Sequence, residues 1–296
     1  MRQYRLIHVD VFTRTRFGGN QLAVFPAAEG LADDEMQAIA REMNFSETTF
    51  VLPATDPTAD ARVRIFTPGR ELPFAGHPVV GTAFVLARDN GKTDLRLELG
   101  IGTLGVRAAP GDGVLGSAEM DQPVPTFEAP VDADPAVLAG LLGLDAADLA
   151  AETPPEFGSS GNPFLYIRLR SLDAVRRARG APDALGRYFA GHHHPAVYAF
   201  CTGGEAPGAA AHARMFSLAL GADVREDPAT GSASGPAGGY LLRHGLVGPG
   251  RLLLEQGYEM LRPSQIEVGL TVTNGALTGV TVGGGVVLVA EGALLV

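Results

Sequence analysis

Two short stretches hold most of the chemistry this chain could perform. One is Glu226-Asp227-Pro228-Ala229-Thr230-Gly231-Ser232-Ala233, and the other is Phe74-Ala75-Gly76-His77-Pro78. In each, a strand-like run enters an acidic, proline-containing turn, and small residues then open a helix. Such a turn aims free backbone N–H groups and the positive end of the helix dipole at whatever precedes the glycine, which suits a carboxylate or phosphate. Gly76, Gly231 and Ser232 let an anion come close. His77, at a helix start, has its pKa lowered and stays neutral, able to hydrogen-bond a substrate in either sense. Asp227 either caps its turn or faces a ligand. A third candidate is Glu47, placed where a helical pattern gives way to a strand; its neighbours Phe45 and Phe50 are expected to desolvate the carboxyl group and bring its pKa toward proton transfer. Each has a plainer reading: a solvated turn for Glu47, a capping histidine for His77.

The remaining constellations carry less. His192-His193-His194 looks like a metal cluster, but adjacent side chains point in different directions and the reading is a solvated loop. Gly231-Ser232-Ala233-Ser234-Gly235 puts Ala233 where a hydrolase elbow needs its nucleophile. Gly283-Gly284-Gly285 has no following helix and so is no dinucleotide fingerprint. Lys92, the only lysine, lies in a turn, which removes pyridoxal phosphate and Schiff-base chemistry. Cys201 is the only cysteine, so there is neither an internal disulfide nor a multi-cysteine zinc site. What remains is a metal-free and cofactor-free cleft in which two helix starts hold an acidic substrate and carboxylates move a proton, as in an isomerase or epimerase.

The elements that must position these residues come in two copies. Arg64-Ile65-Phe66-Thr67 precedes the first turn as Arg214-Met215-Phe216-Ser217 precedes the second. Gly76 and Gly231 are 155 residues apart, and Glu98 and Glu255, like Gly100 and Gly257, are 157 apart. A near-constant offset over such landmarks predicts a duplicated unit. The apolar helices are expected over Pro78 to Arg88, stopped at Gly91, and Ser232 to Arg243, stopped at Gly245. A third helix is expected over Asp34 to Asn44, with Asp33 as N-cap. Around them lie many short strands, among them Tyr4 to Phe12, Thr49 to Leu52, Ala61 to Phe66, Leu277 to Val282 and Val286 to Val289. This pattern predicts an α+β fold of two pseudo-symmetric halves, each a barrel-like, mostly antiparallel sheet around a central apolar helix. The proline-rich run Asp121 to Pro130 reads as the linker, giving halves of 1–122 and 123–296.

With 296 residues, 46% of them apolar, and mean hydropathy +0.12, the chain is long enough for two real cores. A net charge of −10 and pI near 5.2 argue against nucleic acid or anionic membrane as partner. Met1 to Asp10 lacks an apolar leader and no stretch nears about 18 apolar residues, so a cytoplasmic location is expected.

Taken together, Val9-Asp10-Val11-Phe12-Thr13, Phe17-Gly18-Gly19-Asn20, Phe45-Ser46-Glu47-Thr48, Phe74-Ala75-Gly76-His77-Pro78 with Gly81-Thr82-Ala83, and Glu226 to Ala233 resemble the PhzF-like phenazine-biosynthesis proteins, whose fold is that of diaminopimelate epimerase. The resemblance covers nearly the whole chain. It implies an active site between the two halves, a homodimer, and Glu47 as the general acid/base that carries a proton between substrate carbons. His77 and Asp227 would position polar groups, and Gly76, Gly231 and Ser232 would offer contacts at the helix starts. The best-known activity of the family is isomerisation of a dihydroxylated cyclohexadiene amino acid. The racemases of the wider superfamily use two thiols where this chain has Ala75 and Thr230, so two-thiol racemisation is not expected; a lesser departure is Gln21, where proline is common. Two rivals stand beside the isomerase: a silent binder of small carboxylates or phosphate, and a cofactor-free epimerase with Glu47 and Asp227 as its two bases.

Overall fold

The computed structural model describes residues 1–191, 195–218 and 225–296, the backbone alone at 225. They divide into two compact units, Met1–Gln122 with Thr281–Val296, and Pro123–Val280.

In the first unit the chain runs β1 (Gln3–Val11), β2 (Asn20–Phe25), α1 (Asp33–Met43), β3 (Glu47–Leu52), β4 (Ala61–Phe66), β5 (Glu71–Leu72), α2 (Gly76–Asn90), β6 (Asp94–Leu99), β7 (Gly102–Ala109) and β8 (Leu115–Gln122). Strands β1 to β4 pair in order, β2 with β3 in parallel and the others antiparallel. β4 then pairs in parallel with β6, and β6, β7 and β8 follow as an antiparallel meander. The ring closes through a strand from the far end of the chain, β17 (Ala276–Leu295), which pairs with both β8 and β1. The result is a closed barrel of eight strands, and α2 fills it. Eleven of its residues, from Gly76 to Ala87, are buried, as an all-apolar helix sequence requires. Outside the barrel, α1 lays Met36, Ile39 and Ala40 over Phe25, Phe50 and Phe66. Phe50 stacks on Phe25 and meets Phe66 edge-on, so the aromatic faces are used in their preferred geometries.

The second unit repeats this order. It comprises β9 (Thr126–Phe127), α3 (Pro135–Gly140), β10 (Glu156–Ser159), β11 (Pro163–Arg168), α4 (Leu172–Arg177), α5 (Pro182–Tyr188), β12 (Ala196–Thr202), β13 (Ala209–Ser217), β14 (Arg225–Asp227), α6 (Gly231–Arg243), β15 (Gly250–Gln256), β16 (Ser264–Thr273) and the start of β17. β11 and β12 are parallel, as β2 and β3 are; β13 pairs antiparallel with β12 and β14, and in parallel with β15, as β4 does with β3, β5 and β6. α6 is buried from Gly231 to Leu241. Tyr240 of the helix stacks on Tyr166, which also meets the Tyr198 ring, and the Tyr166 hydroxyl donates to the carbonyl of Ala233 at 2.8 Å, which fixes the first turn of the helix. Both units are therefore α+β, each a barrel-like, mostly antiparallel sheet around an apolar helix.

Several boundaries differ from the sequence expectation. α2 and α6 begin at Gly76 and Gly231, two residues and one residue before their expected starts, because the glycine itself enters the helix. α2 runs on to Asn90, where the Gly91 N–H closes it onto the Ala87 carbonyl with φ 76°, while α6 ends at Arg243 as expected, with His244 as its C-cap. α1 starts after Ala32, not Asp33; Glu35 accepts the Ala32 N–H at 2.9 Å. The stretch Phe157 to Pro163 is mostly the β10–β11 hairpin. The proline-rich run is no free linker, since β8 continues to Gln122 and β9 pairs with β10. The two final strands expected separately are one long strand through Gly283-Gly284-Gly285, and its residues from Thr281 onward belong to the first unit, not to a C-terminal half 123–296. The histidine triplet 192–194 lies outside the described residues.

Candidate active site

The first unit brings Glu47 and His77 together. Glu47 is the first residue of β3, on the barrel-facing side that it shares with Thr49, whose hydroxyl meets that of Thr82 on α2 at 2.8 Å. His77 is the second residue of α2 and is buried. Its Nε2 lies 3.4 Å from Glu47 Oε2, just outside the range of a formed hydrogen bond. Its Nδ1 lies 3.1 Å from the side-chain nitrogen of Asn20. An amide nitrogen has no lone pair to offer, so Asn20 donates, Nδ1 accepts, and the ring proton sits on Nε2, toward the carboxylate. Burial lowers the His77 pKa to about 3, which keeps the imidazole neutral.

Asn20 entered the sequence reading only as the end of Phe17-Gly18-Gly19-Asn20, with no role at the site, and local geometry explains how it arrives there. The chain reverses between β1 and β2, and the Phe17 N–H is held by the buried Asp10 carboxylate at 2.7 Å. Gly19 follows with φ 62°, where a Cβ would lie 2.2 Å from the Val11 carbonyl oxygen; only glycine fits, and the next residue is delivered into the barrel. The expected desolvation of Glu47 by Phe45 and Phe50 has a different origin. Side chains alternate along a strand, so Phe50 lies on the opposite face of β3, in the cluster under α1, and Phe45 packs on the ring of His8 at 4.7 Å. The half-buried state of Glu47 comes instead from the barrel interior around His77.

The second unit holds Asp227, Gly231 and Ser232. Asp227 ends β14, and the Thr230 hydroxyl donates to its Oδ2 at 2.6 Å. One buried side chain, Gln256 at the end of β15, straps the whole turn. Its amide nitrogen donates to the Asp227 carbonyl at 2.7 Å and to Thr230 Oγ1 at 2.9 Å, and its oxygen accepts the Thr230 N–H at 3.1 Å. Gly231 and Ser232 then start α6 in the buried first turn. The Thr230 side chain, used on Asp227, makes no cap hydrogen bond to the helix, and no acidic residue sits in the first turn; α2 likewise starts at Ala75 without a side-chain cap or an acid. Neither helix start thus carries a side-chain cap or an acid within its own first turn, where the positive dipole end lies. The role of Gln256 is invisible in sequence, because a glutamine twenty-six residues downstream of Thr230 carries no local signal.

Chemically, the first half-site offers a carboxyl group beside a neutral N–H donor, a pair able to take a proton and return it.

These features agree with what the chain is similar to. Residues 9–292 match the family described as phenazine biosynthesis-like protein, PhzC-PhzF. An uncharacterised isomerase of Mesorhizobium japonicum is 38% identical over 97% of both chains. The trans-2,3-dihydro-3-hydroxyanthranilate isomerase of Pseudomonas aeruginosa is 37% identical over 98% of both. The crystal structure of a Bacillus anthracis phenazine biosynthesis protein of the PhzF family superimposes with a TM-score of 0.87, at 30% identity over the full length of both chains. The chain belongs to the PhzC-PhzF family and is a PhzF-like isomerase that acts on a small molecule.

Proposed function

We propose that this isomerase moves a proton from one carbon to another within a small cyclic amino carboxylate, with no cofactor, and that Glu47 is the group that takes and returns it. The observation that carries the reading is the Glu47–His77 pair. A neutral imidazole with its proton on Nε2, 3.4 Å from the carboxylate, orients the acid without neutralising it by an ion pair. Glu47 acts first as base on a C–H bond and then, protonated, as acid on a second carbon of the same ring. The dipole ends at Gly76, Gly231 and Ser232 hold the substrate carboxylate, His77 its polar groups beside Glu47, and Asp227 a hydroxyl or amino group. The name of the Pseudomonas aeruginosa relative supplies a candidate, trans-2,3-dihydro-3-hydroxyanthranilate, a ring with one hydroxyl rather than the two expected from the resemblance. A homodimer in the cytoplasm completes the proposal.

The experiment is to incubate that compound with the protein in heavy water and follow the ring protons by NMR. Wild type isomerises it; Glu47→Gln, with an unchanged circular dichroism spectrum, loses about 10²–10⁴ in kcat. Undiminished turnover in the variant removes Glu47 from the mechanism. Binding without any turnover in wild type favours a silent carboxylate binder.

A further inference from the structure

The duplication exposes a site outside the half-sites above. On β4, Ala61, Val63 and Ile65 point into the barrel, while Arg62 and Arg64 point outward, on the side of β3 that carries Phe50 and Leu52, opposite to Glu47. Here the barrel carries a cavity of about 360 Å³ lined by Arg62, Arg64, Glu71, Pro73, Glu98 and Gly100, among others. Its lining residues have counterparts at the same register positions in the second unit. Arg62 pairs across the sheet with Glu98 as His212 does with Glu255, and Phe66 pairs with Glu71 as Phe216 does with Glu226. Arg64 forks onto Glu71 at 2.6–2.7 Å, and Arg214 onto Glu226 at 2.7 Å. Glu98 accepts the N–H groups of Thr55 and Asp56, and Glu255 those of Glu205 and Ala206. A Cβ on Gly100 would press on Pro73, and one on Gly257 on Pro228.

The copies part company at one place. In the first unit Gly100 and Ile101 lead straight into β7. In the second, Tyr258 to Pro263 intervene between Gly257 and β16, with a short 3-10 turn at Tyr258–Met260. This insertion occupies the corner with a carboxylate. Glu259 Oε1 lies 3.1 Å from His212 Nε2, and its Oε2 lies 3.9 Å from Arg214 Nε. Arg62 stands in the place of His212, yet its guanidinium donates no hydrogen bond among the described residues; the nearest acid, Glu98, is 3.9 Å away. Arg64 is already engaged by Glu71 and, at the rim, by the exposed Asp33.

We propose that the cavity at Arg62 and Arg64 is a binding site for a carboxylate brought from outside the unit, which takes the position that Glu259 fills in the second unit. Arg62 is the principal donor, because a planar, permanently charged fork suits a carboxylate better than the imidazole it replaces. The carboxylate comes either from a free organic acid or from an acidic side chain of a second copy of this chain.

Isothermal titration of wild type with sodium succinate tests this, together with sedimentation velocity with and without succinate. Succinate is expected to bind saturably, and Arg62→Ala to weaken it roughly ten- to a hundred-fold with isomerase turnover unchanged. A chain in which Tyr258 to Pro263 is copied between Gly100 and Gly102 is expected to lose the same binding by plugging itself. Self-association that is dissolved by both succinate and Arg62→Ala identifies a second copy as the source; binding without any change in mass identifies a free acid. Succinate affinity that is equal in wild type and Arg62→Ala overturns the proposal, and so does the absence of both saturable binding and Arg62-dependent association.

Discussion

The outer corner of β4 and the outer corner of β13 are the same device in two solvents. Arginine forks on glutamate, a second glutamate gathers loop amides, and glycine packs on proline in each. Around β4 these groups meet water, whereas around β13 His212 and Glu255 are fully buried and Arg214 nearly so. Arg214 accordingly spends a third nitrogen on the carbonyls of Val175, Arg176 and Ala178, and Tyr258 donates to Glu255 at 3.0 Å. A buried charge must have every partner met, while an exposed one leaves much of that to solvent. Duplication has thus kept the scaffold and changed how much each contact weighs.

The comparison breaks most visibly at the gathering glutamates. Glu255→Ala leaves His212 and two loop amides without their acceptor and is expected to cost about 3–5 kcal/mol. Glu98→Ala, at a half-buried side chain, should shift the urea midpoint less. Equal shifts for the two variants would mean that burial is not what separates the corners, and amide exchange at Glu205 and Ala206 localises the loss. Next come the forks: Arg214→Lys should cost about 1.5–3 kcal/mol and Arg64→Lys less than about 1 kcal/mol, read from the same denaturation curves.

The smallest effect is a dependence on pH near neutrality, which only the second corner can have because only it holds a histidine. Burial opposes the charge on His212, but the hydrogen bonds of Glu259 and Glu255 outweigh it and raise its pKa. Burial likewise opposes ionisation of Glu255 and Glu259, and the His212 hydrogen bond leads the contacts that keep both below their usual value. A raised histidine pKa contributes stability that is complete below its unfolded value and fades as pH rises through the folded one. The lowered acids contribute above their unfolded values and lose that contribution as pH falls. Stability from the cluster, which Arg214, Glu226 and Tyr258 also face, is therefore complete between about pH 4.5 and 6.5 and declines as pH rises above that window through the folded pKa of His212. His212→Gln should flatten that decline; an unchanged slope would show that His212 does not carry it.

Much of the fold was legible because duplication writes itself into spacing: Gly76 with Gly231 and Glu98 with Glu255 located both central helices and the strands flanking them. Glu47 and His77 were each singled out from residue type and local position, but that the two side chains meet was not. What escaped was non-local. Nothing in the pattern of β17 says that it pairs with β1, and Asn20 reaches His77 across fifty-seven residues through a turn that only Gly19 permits. Phe50 was assigned to Glu47 because it is near in sequence, although an odd spacing along a strand sends two side chains to opposite faces. The cavity at Arg62 could not be read at all, since it is defined by the absence of a segment that its twin possesses.

The closing strand of the first barrel also sets an order of events during synthesis. Its other seven staves leave the ribosome early, yet β1 and β8 stay as open edges until β17 has been made. By then every residue of the second unit has been translated, so the first unit to begin is the last to finish, and cutting the chain at Gln122 would free a sheet with two raw edges rather than a barrel.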